Sequence, residues 1–310
     1  MANSPEPIRS RAGGWSLVFS GIVMIALGWW GAMSVSTDLA RSFIASATTA
    51  LAILLINTGR RLMKAGAEMP LTGNAKRSVV YLRMFSTDSR DPPVIPSRNY
   101  LRAVMTSTNE AQFRVACRDI GSFIAVGRPG DRLEPLGADR IYLPPSANWQ
   151  DAVIELIEAA ELVIVRAGAS DGRSDQSQGG LLWEISSVVA HVPPEKILIF
   201  LPYPARRSER KRNAAYQAFR EDASSFFPNG LPSEIGTELF IGFNSEWQPV
   251  PISRDEFPDG TSPKDSRTAF LTGLYQNYQV KSFSIVRVLL LLLGLILALA
   301  IAISVAVKLS

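Results

Sequence analysis

One carboxylate of this sequence lies where a helix is predicted to begin beside a ligand-binding edge. Glu184 belongs to the segment 179–185 (GGLLWEI), which follows a glycine-containing loop and a buried strand. A carboxylate at such a position would face a bound ligand, and it could stabilise or attack an oxocarbenium-like ribosyl centre. The structural alternative is an acid that complements the positive end of the helix dipole. Both a catalytic and a structural role therefore stay open for Glu184.

Arginine and glycine residues gather after the ends of three predicted strands. They are Arg83 and Asp88 after the first strand, Gly127 and Arg128 after the second, and Arg166 and Gly168 after the third, with Gly180 and Trp183 on the helix that follows. Because the carboxyl ends of parallel strands meet at one edge of a sheet, these residues are expected to converge there. Guanidinium groups and exposed backbone amides bind phosphate, so the pattern predicts a nucleotide-like ligand. The alternative is that residues 127–130 form only a tight turn and that the arginines pair with nearby acids.

Two other kinds of chemistry are disfavoured by the remaining motifs. Residues 168–172 (GASDG) match the Gly-x-Ser-x-Gly pattern of a nucleophile elbow, but a polar loop follows them instead of a helix. The only histidine, His191, precedes Val-Pro-Pro at a predicted helix end, a position typical of a capping or packing residue. With one histidine and one cysteine, Cys117, the chain lacks the ligands for a Cys/His metal site or a disulfide framework. Only a carboxylate-built metal site stays open, and no residue pattern predicts one.

The elements that must position these residues alternate between short apolar strands and helices. Strands are predicted at 79–85, 122–126, 162–165, 197–201 and 238–243, and helices at 100–117, 149–160, 180–190 and 208–226. Asn148 is the predicted N-cap of the second of these helices. Continuous apolar strands separated by helices are typical of a parallel sheet that is covered on both faces.

Two segments are too apolar and too long for a soluble core. Residues 15–59 contain only two charges, Asp38 and Arg41, and residues 288–307 contain none. A bilayer span needs about 20 apolar residues, so we predict a hairpin of spans at 15–35 and 39–58 and a third span at 287–307. A cleavable signal peptide is the alternative for the first run, but that run ends in Trp29-Trp30 and a second span follows at once.

Charge is distributed unevenly between the predicted spans and the block between them. The chain carries a net charge of +4, whereas residues 66–280 hold 23 Lys and Arg against 26 Asp and Glu, a balance of −3. The other basic residues flank the spans: Arg9, Arg11, Arg41, Arg60, Arg61, Lys64, Lys281, Arg287 and Lys308. This asymmetry predicts that both ends of the block face the cytoplasm, and it gives no support for nucleic-acid binding.

Small residues recur at four-residue spacing within the predicted spans. They are Ser42, Ser46 and Ala50 in the second span, and Gly294, Ala298 and Ala302 in the third. Such stripes let helix backbones approach closely, so we expect them to pack within the subunit or between subunits of a homo-oligomer. Ionisable residues are almost absent from the spans, which disfavours a transporter.

Three features of the chain together resemble TIR domains and nucleoside deoxyribosyltransferases. They are a first strand with Tyr81-Leu82-Arg83, a glycine-rich loop after a later strand, and Trp183-Glu184 on the next helix. The resemblance covers about residues 78–205. It implies a flavodoxin-like parallel sheet, Glu184 as the catalytic residue, NAD or a nucleoside as substrate, and action through self-association. Trp183 and Glu184 are adjacent here, whereas TIR hydrolases separate the two.

The sequence thus predicts a multi-pass protein of the cell (inner) membrane whose main domain is cytoplasmic. Its parts are an N-terminus (1–14), a transmembrane hairpin (15–58), a basic linker (59–77), an α/β domain (78–280) and a C-terminal span (281–310). We expect a signalling or stress-response module that contacts membrane lipid and binds a nucleotide-like ligand. Three versions stay open: an N-glycosidic hydrolase or transferase, a sensor without catalysis, and a scaffold.

Overall fold

The computed structural model describes residues 10–63, 77–83, 94, 108–127, 137–142, 148–168, 175–202, 209–257 and 265–279. Within these ranges the helices are α1 (Arg11–Met33), α2 (Asp38–Met63), α3 (Asn109–Ala116), α4 (Trp149–Glu158), α5 (Asp175–His191), α6 (Glu209–Ala223) and α7 (Ser266–Gln279). The strands are β1 (Ser78–Leu82), β2 (Ser122–Val126), β3 (Asp139–Ile141), β4 (Ala160–Arg166), β5 (Ile197–Phe200), β6 (Phe240–Phe243) and β7 (Pro249–Ile252). The predicted third span lies outside the described residues, as do Asp88 and Arg128.

The two N-terminal helices form an antiparallel hairpin that is apolar enough to cross a membrane. Helix α1 has 23 residues and α2 has 26, so they extend about 35 and 39 Å, which exceeds a hydrocarbon core of about 30 Å. The two charged residues within 15–59 lie at the turn, where Arg41 contacts the Asp38 carboxylate at 3.2 Å and donates to the Val35 carbonyl at 2.9 Å. Few hairpin residues are buried, which distinguishes these helices from the core of a soluble domain.

Glycines spaced seven residues apart bring the two helices of the hairpin together. A Cβ atom at Gly28 would lie 2.2 Å from the Thr48 hydroxyl oxygen, and one at Gly21 would lie 2.9 Å from the Ala52 carbonyl. Gly14 is likewise buried against the end of α2. By contrast, Ser42, Ser46 and Ala50, the predicted stripe of small residues on α2, are exposed. This stripe therefore does not form the contact between α1 and α2.

The sheet is mostly parallel, and it contains seven strands in the order β3-β2-β1-β4-β5-β6-β7. The first five in this order are parallel, while β6 and β7 are antiparallel to their neighbours. Strands β3 and β7 were not predicted from the sequence. The all-parallel prediction is therefore wrong at β6, which runs opposite to β5.

The direction of β6 follows from the segment 227–239, which runs back along α6. Arg212, near the start of α6, donates to the carbonyl oxygens of Gly236 and Glu238. One turn further on, the Tyr216 hydroxyl donates to the Pro232 carbonyl at 2.6 Å. The chain therefore returns to the edge where β5 ends before it enters β6, and it pairs with β5 in the opposite direction.

Edge strand β7 carries two prolines that do not interrupt its pairing. The Asn244 amide donates to the Gln248 carbonyl at 3.1 Å, and alternation along an antiparallel ladder then places Val250 in a hydrogen-bonded position. Pro249 and Pro251 consequently direct their backbone nitrogens away from β6. A proline is tolerated in a sheet at such outward positions because it has no N–H to lose there.

Two apolar layers cover the sheet. Helices α4, α5 and α6 pack on one face, and α3 and α7 pack on the other. At the centre of the second layer, the Phe113 ring contacts five aromatic rings with centroids 4.9–6.1 Å away: Tyr81, Phe123, Phe200, Phe240 and Phe270. Helices α3 and α7 approach so closely that a Cβ atom at Gly273 would lie 2.6 Å from the Ala116 carbonyl oxygen.

We expect Gly28→Leu to loosen the hairpin, because the new side chain must displace Thr48. Overpacking of this kind typically costs about 1–3 kcal/mol. Gly31→Leu is the matched control, since a Cβ atom at Gly31 meets no described atom within 4 Å. Thermal unfolding of the detergent-solubilised protein would show a lower midpoint for the first variant only. Equal midpoints for both variants would contradict the packing described here.

Candidate functional site

The candidate site lies where the strand order reverses, at the carboxyl ends of β1 and β4. From β1 the chain proceeds to β2 and β3 on one side, and then crosses to β4 on the other side of β1. Ligands of open α/β sheets bind at such a switch point. Leu82 pairs with Val165, so Arg83 and Arg166 occupy the next positions of the two adjacent strands. The two arginines that the sequence analysis expected at one edge of the sheet are therefore neighbours in the strand register.

Both arginines are buried and lie on the face of the sheet that α3 and α7 cover. Arg83 is 6% exposed and Arg166 is 8% exposed. Side chains alternate between faces along a strand, and Tyr81 and Ile164, two residues earlier on each strand, belong to the core under α3 and α7. Two guanidinium groups therefore lie on the same face of the sheet, on adjacent strands at the switch point.

A buried carboxylate on α3 joins Arg83 to a third arginine. The Glu110 Oε1 atom lies 3.0 Å from Arg83 Nε, and its Oε2 atom accepts a hydrogen bond of 2.7 Å from Arg140 Nη2. Arg140 is the strand partner of Ala125, so both side chains lie on the face of the sheet that α3 covers. Taken alone, these three groups carry a charge of +1. Burying them is tolerated because each charge has an opposite neighbour.

The local fold around Glu110 holds its carboxylate in place. Thr108 caps α3 by accepting a hydrogen bond of 3.3 Å from the Ala111 amide, which places Glu110 in the first turn of the helix. Gly137 passes directly over it with φ of +127°, and a Cβ atom there would lie 2.4 Å from the Glu110 Cβ. Only glycine adopts this conformation at this spacing without strain.

Glu184 lies near Arg83 but on a helix that begins earlier than predicted. Helix α5 starts at Asp175, so Glu184 is its tenth residue, and the interpretation of Glu184 as a first-turn acid is wrong. Although the residue keeps some solvent exposure, burial of its carboxyl group raises the pKa to about 8, and the charge of Arg83 opposes this rise. At neutral pH the group is mainly protonated, and a protonated carboxyl group has an O–H to donate, which an ionised carboxylate lacks.

Four other predicted ligand-binding residues lie within the described ranges. Gly127 ends β2, where its amide donates to the Ile141 carbonyl at 2.8 Å, and a Cβ atom would lie 2.5 Å from the Tyr142 ring. Trp183 packs edge-to-face on Trp149 with a centroid distance of 4.8 Å, which directs it toward the start of α4. The remaining two are Gly168, just beyond β4, and Gly180, within α5.

Sequence reasoning missed Glu110 and Arg140. Arg140 lies on a three-residue strand without an apolar alternation, and Glu110 is 30 residues away from it along the chain. The one local signal was Thr108-Asn109-Glu110, which is typical of a capped helix start with an acid in its first turn. Within the described ranges, no group of three or more His, Cys, Asp and Glu side chains is arranged to hold a metal ion.

Comparison with known proteins does not identify a relative: the chain matches no family model, no curated protein and no solved structure.

We expect Glu110→Gln to destabilise the α/β domain by about 3–5 kcal/mol, because it leaves two buried arginines without their shared counter-charge. Asp139→Asn is a suitable control. It removes a carboxylate that contacts Arg114 at 2.6 Å in a pair whose side chains are 23% and 46% exposed. Pairs of this kind contribute at most about 1 kcal/mol. Urea unfolding of both variants would test the difference, and a small effect at Glu110 would contradict it.

Glu184 should also make stability depend on pH. A carboxyl group whose pKa is raised by folding favours the folded state while it is protonated. This contribution is complete below about pH 4.5 and is lost as the pH rises toward 8. Relative to Glu184→Gln, the wild-type protein should therefore lose thermal stability across this range. Glu246→Gln, at an exposed loop position, should show no such trend, and a pH-independent difference at Glu184 would refute the assignment.

Proposed function

We propose that the α/β domain binds an anionic, nucleotide-like ligand at the crevice between β1 and β4, as a membrane-anchored signalling or stress-response module. The observation that carries the proposal is the pair Arg83 and Arg166, adjacent at the switch point of the sheet. Planar guanidinium groups match phosphate oxygens in charge and in bidentate geometry. The position and the chemistry therefore favour the same class of ligand.

The arrangement of layers supports a flavodoxin-like, TIR-like interpretation of the domain. Without the edge strands β3 and β7, the order is β2-β1-β4-β5-β6, which corresponds to the flavodoxin order 2-1-3-4-5. The helices also divide two and three between the faces. The reversed direction of β6 is a departure from an all-parallel sheet of this kind, but it lies three strands away from Arg83.

Glu184 is the residue through which this domain would cleave an N-glycosidic bond of NAD or a nucleoside. Its ionised carboxylate would stabilise the developing ribosyl cation or attack it, while the leaving base departs with the bonding electrons. A pKa of about 8 leaves a minor ionised fraction at neutral pH, so activity of this kind would rise with pH through that value.

The same pKa favours a second candidate function, a ligand sensor without catalysis. A neutral Glu184 carboxyl group beside Arg83 suits hydrogen bonding to a ribose hydroxyl or a phosphate more than nucleophilic attack. In both versions the hairpin anchors the domain in the membrane. The cytoplasmic orientation, the third span at 287–307 and assembly into a homo-oligomer complete the proposal, since confinement to a plane populates weak contacts between domains.

We expect NAD, ADP-ribose or ATP to raise the thermal unfolding midpoint of the full chain in nanodiscs, because ligands that bind only the folded state stabilise it. Arg166→Gln should weaken binding roughly tenfold or more, through loss of a charged hydrogen bond. Arg114→Gln is the control, as it makes the same charge change at the Asp139 pair. No shift with any of these nucleotides, or equal effects of the two variants, would contradict the proposed site.

The same samples distinguish the two candidate functions. Release of nicotinamide from NAD by the wild type, lost in Glu184→Gln while the thermal shift is retained, would identify the enzyme. Binding without turnover in the wild type would identify the sensor.

A further inference from the structure

An open apolar groove runs along one side of the membrane hairpin. Phe19, Val23 and Leu27 of α1 form one wall, Ile44 of α2 forms the other, and Gly28 and Thr48 form part of the floor. The groove encloses about 500 Å³. It lies in the half of the hairpin nearer the turn at residues 34–37.

The residues that line this groove favour an apolar occupant. The Thr48 hydroxyl donates within its own helix to the Ile44 carbonyl at 2.8 Å, so it presents no unpaired donor. Phe19 and Leu27 are 65% and 59% exposed, although both are large apolar side chains. A lipid chain or an apolar helix fits such a surface, whereas a polar ligand has no partner in it.

We infer that the C-terminal apolar segment of the same chain, residues 288–307, occupies this groove. The segment has no charged residue and is long enough to span a bilayer. It begins eight residues after α7 ends at Gln279, so its start lies within about 30 Å of that point. Helix α2 is tied to β1 of the same domain by residues 64–76. Both membrane segments are therefore held close together, which favours an intramolecular contact over one between chains.

The depth of the groove matches the position of small residues in that segment. The Ser10 amide donates to the Leu62 carbonyl at 2.9 Å, so α1 begins on the side of the membrane where α2 ends and the domain attaches. A segment that enters from the same side, with residue 288 level with Trp15, places residues 292–301 beside Phe19 to Gly28. This stretch contains Gly294 and Ala298. Small residues there would let the ridge of Phe19, Val23 and Leu27 approach its backbone.

The exposed stripe of Ser42, Ser46 and Ala50 provides an internal control. Successive residues of a helix are 100° apart, so Ser46 faces about 160–200° away from Ile44 and Thr48, which line the groove. A helix in the groove cannot contact Ser46. The stripe is therefore a separate surface, and a crosslink formed by a cysteine at position 46 would identify a segment that lies outside the groove.

Cysteine crosslinking in the full-length protein tests this inference. In a Cys117→Ala background, Val23→Cys is combined in turn with a cysteine at each position from 294 to 300, and oxidation is carried out in native-like lipid. We expect disulfides within single chains, with yields that peak every three to four positions. Ser46→Cys combined with the same positions should give none.

Two further measurements make the test decisive. If chains with only Val23→Cys are mixed with chains carrying only a C-terminal cysteine, a covalent dimer would show that a second copy fills the groove and would overturn the inference. Absence of any crosslink at Val23 would leave lipid as the occupant and would overturn it equally. Gly294→Leu with Ala298→Leu should reduce the intrachain yield at least fivefold, while the unfolding midpoint of the α/β domain stays unchanged.

Discussion

The candidate site depends on the two buried ion pairs that the Glu110 carboxylate forms. The carboxylate joins the end of β1, through Arg83, to β3, through Arg140, and it does so from the first turn of α3. Removing a charge from water is costly, so the cluster is stable only when all its members are in place. Arg83 and Arg140 can both be buried because α3 carries their shared counter-charge to that point.

The position of α3 is in turn set by the apolar core. Phe113 lies three residues after Glu110 and packs among five aromatic rings that come from β1, β2, β5, β6 and α7. Gly273 brings α7 into backbone contact with the end of α3. The ionic centre and the aromatic core thus depend on side chains one turn apart on the same short helix, against which α7 packs.

Local patterns predicted the elements that depend on local signals, and missed those set by distant contacts. Strand β2 has its predicted bounds, Asn148 caps α4, and the two apolar runs are helices. The direction of β6 depends on Arg212 and Tyr216 holding a segment that no periodicity reveals. In the site, Arg83 and Arg166 were predictable because each follows an apolar strand, whereas Glu110 and Arg140 meet only through the fold. The glycine contacts of the hairpin were not predicted, because these glycines recur every seven residues, whereas the predicted stripes of small residues have a spacing of four.

The prolines of β7 have a consequence for the behaviour of this protein at high density. An unprotected edge strand offers free N–H and C=O groups to the sheet of another molecule, and such pairing leads to aggregation. At Pro249 and Pro251 the outward donors are missing, so a foreign strand finds no regular ladder to join. The prolines therefore protect this edge against pairing with the sheet of a second molecule, and they disfavour aggregation by that route.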